Sequence, residues 1–141
     1  MTVGEIKAEA LKIMVANDEL NIDGLSLTAY KNDPAYSSYI YAMTGAINRA
    51  FDRLFILGAI DEKAIEYPVT VSTPESTDLH ETRGVSNVLL RMIPLFVVGD
   101  VYATDEPDMA ANMRNQFEAN VEEYLKMQSR QQESVEVVYG A

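Results

Sequence analysis

The sequence predicts an all-α domain of four helices, with a long second helix, a proline-kinked third helix, a short extended arm and a C-terminal tail. Three observations lead there. A T-x-x-E capping box at Thr2–Glu5 precedes apolar residues at helical spacing. An unbroken pattern of steps of three and four runs from Tyr36 to Leu57. An apolar run over 88–101 carries Pro94 at its centre and is followed by a second proline-opened helix at Pro107. The helical domain spans 1–130, with 60–85 as arm and loop, and 131–141 forms the tail.

The first helix covers about 3–16. Val3, Ile6, Ala10, Ile13 and Met14 form its apolar stripe, Leu11 widens it, and Asn17-Asp18 ends it. Glu19–Asn32 is a polar connection anchored by Leu20, Ile22, Leu25 and Leu27. Asp33-Pro34 signals the next start, because the Asp side chain caps orphan N–H groups and Pro at the first helical position needs no partner. A helix over 34–57 would be about 36 Å long at 1.5 Å per residue. Gly45 inside it costs about 1 kcal/mol relative to Ala. Tyr36, Ile40, Met43, Ile47, Ala50, Leu54 and Leu57 make its stripe, and Phe51 and Phe55 broaden the face toward more than one neighbour. Tyr36, Tyr39 and Tyr41 cannot all point one way. Either one or two enter the core and the rest are surface, or they form a subunit interface.

Residues 60–85 change period. Ile65, Tyr67, Val69 and Val71 alternate with polar or small residues as in a strand, and Pro68 restricts that strand to an edge or an extended arm. Thr73–Gly84 reads as a mobile polar loop, and the arm is expected to gain order from a partner or a neighbouring subunit. Ser86 is the N-cap of the third helix, which Pro94 should kink or restart near Ile93. Val88, Leu89, Met92, Ile93, Phe96, Val97 and Val101 are the expected centre of the core. Asp105 or Glu106 caps the fourth helix, whose stripe of Ala110, Met113, Phe117, Val121 and Tyr124 is expected to end near Arg130. Beyond it Val135-Glu136-Val137-Val138-Tyr139 is β-prone and lacks a local partner in sequence.

Composition narrows the function. At 141 residues the chain fits one domain with an unaided core. With no cysteine there is no disulfide framework and no thiolate metal site, which fits a reducing compartment. The start lacks an unbroken apolar stretch, which argues against a signal peptide, and no apolar run approaches the roughly 20 residues of a bilayer span. A net charge of −11 disfavours nucleic acid and anionic membranes, and most simply serves solubility.

No catalytic constellation is legible. His80 is the sole histidine, and neither a triad, a zinc site, a P-loop nor a G-x-G-x-x-G is present. Asp100, Asp105, Glu106 and Asp108 crowd one junction. Their spacing matches no calcium loop, and helix capping explains three of the four. No catalytic residue, metal site or cofactor is therefore assigned. Arg49 and Arg53, one turn apart, are the only basic pair in register and are expected to bridge to acidic residues of a neighbouring helix or subunit.

Three pieces of the chain resemble the head–tail connector (adaptor) proteins of tailed bacteriophages. They are Met1-Thr2-Val3-Gly4-Glu5-Ile6-Lys7 with Glu9-Ala10-Leu11, Gly45-Ala46-Ile47-Asn48-Arg49-Ala50-Phe51, and the proline-kinked pair at 89–125. The last holds Ile93-Pro94-Leu95-Phe96, Asp105-Glu106-Pro107, and Arg114-Asn115-Gln116-Phe117-Glu118. Together they cover about half of the chain. The resemblance lapses over 60–85, where similar proteins can carry a longer β-rich insertion, and this leaves open which face is elaborated.

The resemblance implies a non-enzymatic virion protein, assembled in the host cytoplasm. It would form a ring, typically dodecameric, beneath the portal protein and above a stopper or tail-side neck protein. DNA would pass through the channel without specific binding. Glu118, Glu122 and Glu123 are the candidate acidic channel wall. Tails of the family often dock on the portal, which makes Val135, Val137, Val138 and Tyr139, with Ile65, Tyr67 and Val69 of the arm, candidates for strand addition to the portal or a neighbour. Other readings are another neck component (a stopper or head-completion protein), a small acidic helical regulator of a host protein, and a DNA-binding small terminase subunit.

Overall fold

Each of the expected helices forms. A computed structural model describes residues 1–16, 30, 33–61, 78–79, 81–82 and 85–139, with side chains to 131. Within these the chain is all-α, with helices α1 (Val3–Ala16), α2 (Ser37–Ile56), α3 (Asn87–Leu90), α4 (Ile93–Val101) and α5 (Pro107–Tyr139). The expected third helix is the α3–α4 pair. The described residues form no strand, and their one β-contact is an antiparallel bridge between Thr2 and Glu81.

Local chemistry sets the helix ends. At α1 the Glu5 N–H donates to Thr2 Oγ1 (3.1 Å), and the Thr2 N–H donates to Glu5 Oε1 (3.3 Å), completing the capping box. At α2 the Ala35 N–H donates to Asp33 Oδ1 (2.9 Å). Residues 34–36 form a turn, so the regular helix starts three residues after Pro34. Its other end is a Schellman motif. Gly58 takes φ +79°, its N–H donates to the Phe55 carbonyl, and the Ala59 N–H donates to the Leu54 carbonyl.

Pro94 restarts the third helix. It has no N–H to donate to the Leu90 carbonyl, and the chain turns at Arg91 and Met92 before α4 begins. The break also changes the helical phase, and this corrects the expected core. Leu89, Ile93, Phe96 and Val97 are buried and Met92 and Val101 are partly buried, but Val88 is 53% exposed, while Leu90 and Val98 are buried.

α4 lies at the centre, packed on α1, α2 and α5. Apart from Asp100 in its last turn it is apolar around its circumference, as suits a helix enclosed by others. At Gly99 it lies close against α5. A Cβ there would sit 2.5 Å from Arg114 Cγ and 3.1 Å from the Ala110 carbonyl oxygen. Beside this crossing the Phe96 and Phe117 rings meet edge to face at 5.2 Å. On α5, Ala110, Phe117 and Val121 are buried, and Met113 and Tyr124 pack partly buried against the core, which matches the expected stripe.

The residues expected to form a mobile loop are tied down where they are described. The Gly4 N–H donates to the Asp78 carbonyl (2.9 Å), and a Cβ on Gly4 would lie 3.0 Å from that oxygen. Thr82 donates to the Met1 carbonyl from its N–H (3.1 Å) and its hydroxyl (2.7 Å). Lys7, only 2% exposed, reaches Asp78 Oδ1 at 2.6 Å. The polar segment is held because it supplies the counter-charge for a buried lysine.

Two predictions follow from the packing. Gly99→Ala gains helix propensity but meets α5 backbone, and should destabilise by about 1–3 kcal/mol. Gly45→Ala meets the Arg49 guanidinium (Nη1 at 3.2 Å), which is held on Asp100 and must shift by a few tenths of an ångström. That shift is set against a gain in helix propensity of about 1 kcal/mol, so the variant should cost less than Gly99→Ala. Urea unfolding of the two variants checks the contrast.

Asp78→Ala strands the buried Lys7 ammonium and should cost about 3 kcal/mol or more. Adding Lys7→Met should recover part of that loss. Strict additivity in a double-mutant cycle would contradict a coupled buried pair.

Candidate functional site

The polar groups of α2 form a seam with α4, the α4–α5 junction and α5. At one end the Tyr39 hydroxyl donates to Asp105 Oδ2 at 2.5 Å, and the Tyr39 ring packs edge to face on Tyr102 with centroids 4.9 Å apart. Further along, Arg49 grips Asp100, with Nε donating to both carboxylate oxygens and Nη2 to Oδ2 at 2.5 Å. One turn later Arg53 Nε donates to Glu118 Oε1 at 2.7 Å. The expected bridging of both arginines to acidic residues is thus met within one chain.

The seam also resolves the three tyrosines. Tyr36 is buried against Tyr30 in an edge-to-face pair, Tyr39 is half-buried in the seam, and Tyr41 is 62% exposed.

The electrostatics follow from the pairing. The Arg49 guanidinium is held above its ordinary value, chiefly by its hydrogen bond to Asp100. The Tyr39 phenol is raised above its ordinary value near 10, first by the hydrogen bond to Asp105, then by burial and by the negative charge of Asp105 and Glu106. Of the four acidic residues at the junction, Asp100 and Asp105 hold these partners. Among the described residues no group of three acidic or histidine side chains is arranged to hold a metal ion.

The sequence-derived site residues separate in the structure. Glu118 pairs with Arg53 at 2.7 Å, and each side chain of the pair is 40% exposed. Glu122 is exposed and pairs with Lys126 at 3.4 Å, and Glu123 is exposed. Ile65, Tyr67, Val69 and His80 lie outside the described residues, as do Leu20, Ile22, Leu25 and Leu27.

Val135, Val137, Val138 and Tyr139 are helical in backbone, which corrects the expected end of the fourth helix near Arg130. No glycine or proline interrupts 108–139, and adding a residue to a formed helix gains a hydrogen bond for one further residue fixed, which overrides weak β-propensity. A helical segment has no free ladder groups for strand addition.

Two grooves flank the seam. One lies between α1 and α4, lined by Ile13, Pro94 and Leu95 with Glu9 and Arg91. The other lies along α4 and α5, floored by Gly99, Ala103, Ala110 and Ala111 and walled by Arg53 and Arg114. Arg114 extends over the Phe96 ring, with its guanidinium carbon 5.5 Å from the centroid. This floor of small residues was not visible in the sequence, because it depends on the phase between α4 and α5. No described helix is long and apolar enough to cross a membrane. No family model, curated protein or solved structure matches the chain.

The raised Tyr39 value gives a signed pH prediction. A folded pKa above the unfolded one contributes stability that is complete below about pH 10 and is lost as pH rises through the folded value. In Tyr39→Phe that alkaline component should be absent. Urea midpoints measured from pH 9 upward should therefore fall less steeply in the variant than in the parent. Parallel curves would contradict the assignment.

Proposed function

We propose that the chain is a non-enzymatic structural subunit of a tailed-phage neck, a head–tail adaptor that joins a ring under the portal and extends the DNA channel. The observation that carries this reading is how the three resembling pieces fit together. Arg49, from the 45–51 piece, clasps Asp100 in the last turn of α4, the first of the two proline-marked helices. The opening piece supplies α1, which packs on α2 and α4. Residues that are separate motifs in sequence form a single packed unit.

Charge favours the same reading over a DNA-binding terminase subunit. Arg49 and Arg53, the basic pair in register, are both engaged with carboxylates. On a chain of net charge −11 this leaves little to displace counterions from phosphates. A channel built from such subunits would let DNA slide. In this proposal the partners are the portal protein, a stopper or tail-side protein, and further copies of the chain. The place is the virion neck, after assembly in the host cytoplasm.

Electron microscopy of the protein mixed with the portal from the same genome tests the proposal. The expected outcome is a ring of added density below the portal. An intact portal that stays bare would move the assignment to a stopper or head-completion protein, or to an acidic regulator of a host protein.

A further inference from the structure

We propose that the groove along α4 and α5 is a docking surface for a second copy of this chain, seated by an ion pair from Arg114 to Asp52 of that copy. The first observation is the placement of Arg114. Gly99 leaves room for its stem, since a Cβ on Gly99 would sit 2.5 Å from Arg114 Cγ. The Phe96 face holds its guanidinium in a cation–π contact. A long side chain is thereby fixed at the groove wall before any partner arrives, which lowers the entropy lost on binding.

The second observation is charge. Lys7, Lys12, Arg49, Arg53 and Lys126 each hold a carboxylate, whereas Arg114, like Arg91 and Arg130, forms no ion pair among the described residues, and of these three it alone lines this groove. The groove wall offers two guanidinium groups, Arg53 and Arg114, against the one carboxylate of Glu118. On a chain of net charge −11 this is a local excess of positive charge, and a second copy has carboxylates in surplus. Two such chains repel in most orientations, so an approach that brings a carboxylate to Arg114 is favoured over the others.

The third observation identifies which part of the second copy fits. Near its C-terminal end α2 carries exposed Asp52, with Phe55 46% and Ile56 70% exposed one turn on. Asp52, Phe55 and Ile56 stand at i, i+3 and i+4, so one helical turn presents a carboxylate next to two apolar side chains. The groove presents a guanidinium next to a floor of Gly99, Ala103, Ala110 and Ala111, with a volume of about 580 Å³. Small residues on the floor admit large ones from outside, and a carboxylate meets a forked donor. Groove and knob are different surfaces, so each copy carries both halves of the contact, and a head-to-tail arrangement repeats it around a ring.

The test uses the absence of cysteine from the chain. Ala111→Cys and Ile56→Cys are made in separate preparations, mixed under mild oxidation in portal-free solution, and mixed again with the portal. The expected result is a disulfide-linked dimer of the two variants. Adding Arg114→Glu should reduce its yield at least tenfold, and the charge swap Arg114→Glu with Asp52→Arg should restore it. Circular dichroism and melting of Arg114→Glu confirm an intact fold, since the side chain is exposed.

No dimer in either setting overturns the proposal, as does a dimer indifferent to Arg114→Glu. A portal-bound ring without the cross-link would remove this contact and leave the adaptor reading standing. A cross-linked, charge-dependent dimer with no affinity for the portal would do the reverse.

Discussion

Everything in this fold depends on the enclosure of α4. Nine residues, apolar on nearly every side, are surrounded by α1, α2 and α5, and the rest of the chain serves to complete that enclosure. Burial of apolar surface is the largest favourable term available to a chain with no disulfide to constrain its unfolded state. The enclosure has a steric condition at Gly99, where a Cβ would press on the Arg114 stem and the Ala110 carbonyl of α5, and a topological one at Pro94. The restart after the turn at Arg91 and Met92 leaves Val88 exposed and Leu90 buried.

Around this apolar centre the ionic groups serve as fasteners. Arg49–Asp100 and Arg53–Glu118 are partly solvated, and each adds little energy by itself, since exposed pairs contribute at most about 1 kcal/mol. Their value is in direction. Guanidinium forks one turn apart on α2 fix the rotation and slide of α4 and α5 against it. The Lys7–Asp78 pair works differently. It is buried, costly to desolvate, and demanding of geometry, so it recruits a polar segment far along the chain to lie over the start of α1.

How much of this was legible follows from the range of the signals. The start of α1, the end of α2 at Gly58 and the restart at Pro94 were readable because a cap, a left-handed glycine and a missing N–H act within a few residues. The stripe of α5 was readable because periodicity reports which face is apolar. The partners of Arg49 and Arg53 were readable only as acidic residues elsewhere, and the pairing of Glu118 with Arg53 was hidden because a helix face in sequence does not say what lies opposite. Lys7 gave no signal at all. A lysine inside an apolar stripe reads as an edge residue, and only the arrival of Asp78 explains its burial. The groove floor was equally hidden, since Gly99 and Ala110 become neighbours through a helix crossing. The extent of α5 was underestimated because β-branched residues near its end were given more weight than the unbroken helix leading into them.

The length of α5 has a consequence for how this protein can change. Leu125 is the last described residue of the helix that packs on the core, yet the helix continues to Tyr139. At about 1.5 Å per residue the helix runs roughly 20 Å further, and residues 126–131 along it are exposed. Substitutions along the first half are felt throughout the core, so that half is constrained by folding. Substitutions at the exposed residues 126–131 leave the core untouched and alter only what that stretch meets. A single helix thus has one end answerable to stability and another free to follow a partner, and the chain can change its associations without refolding its centre.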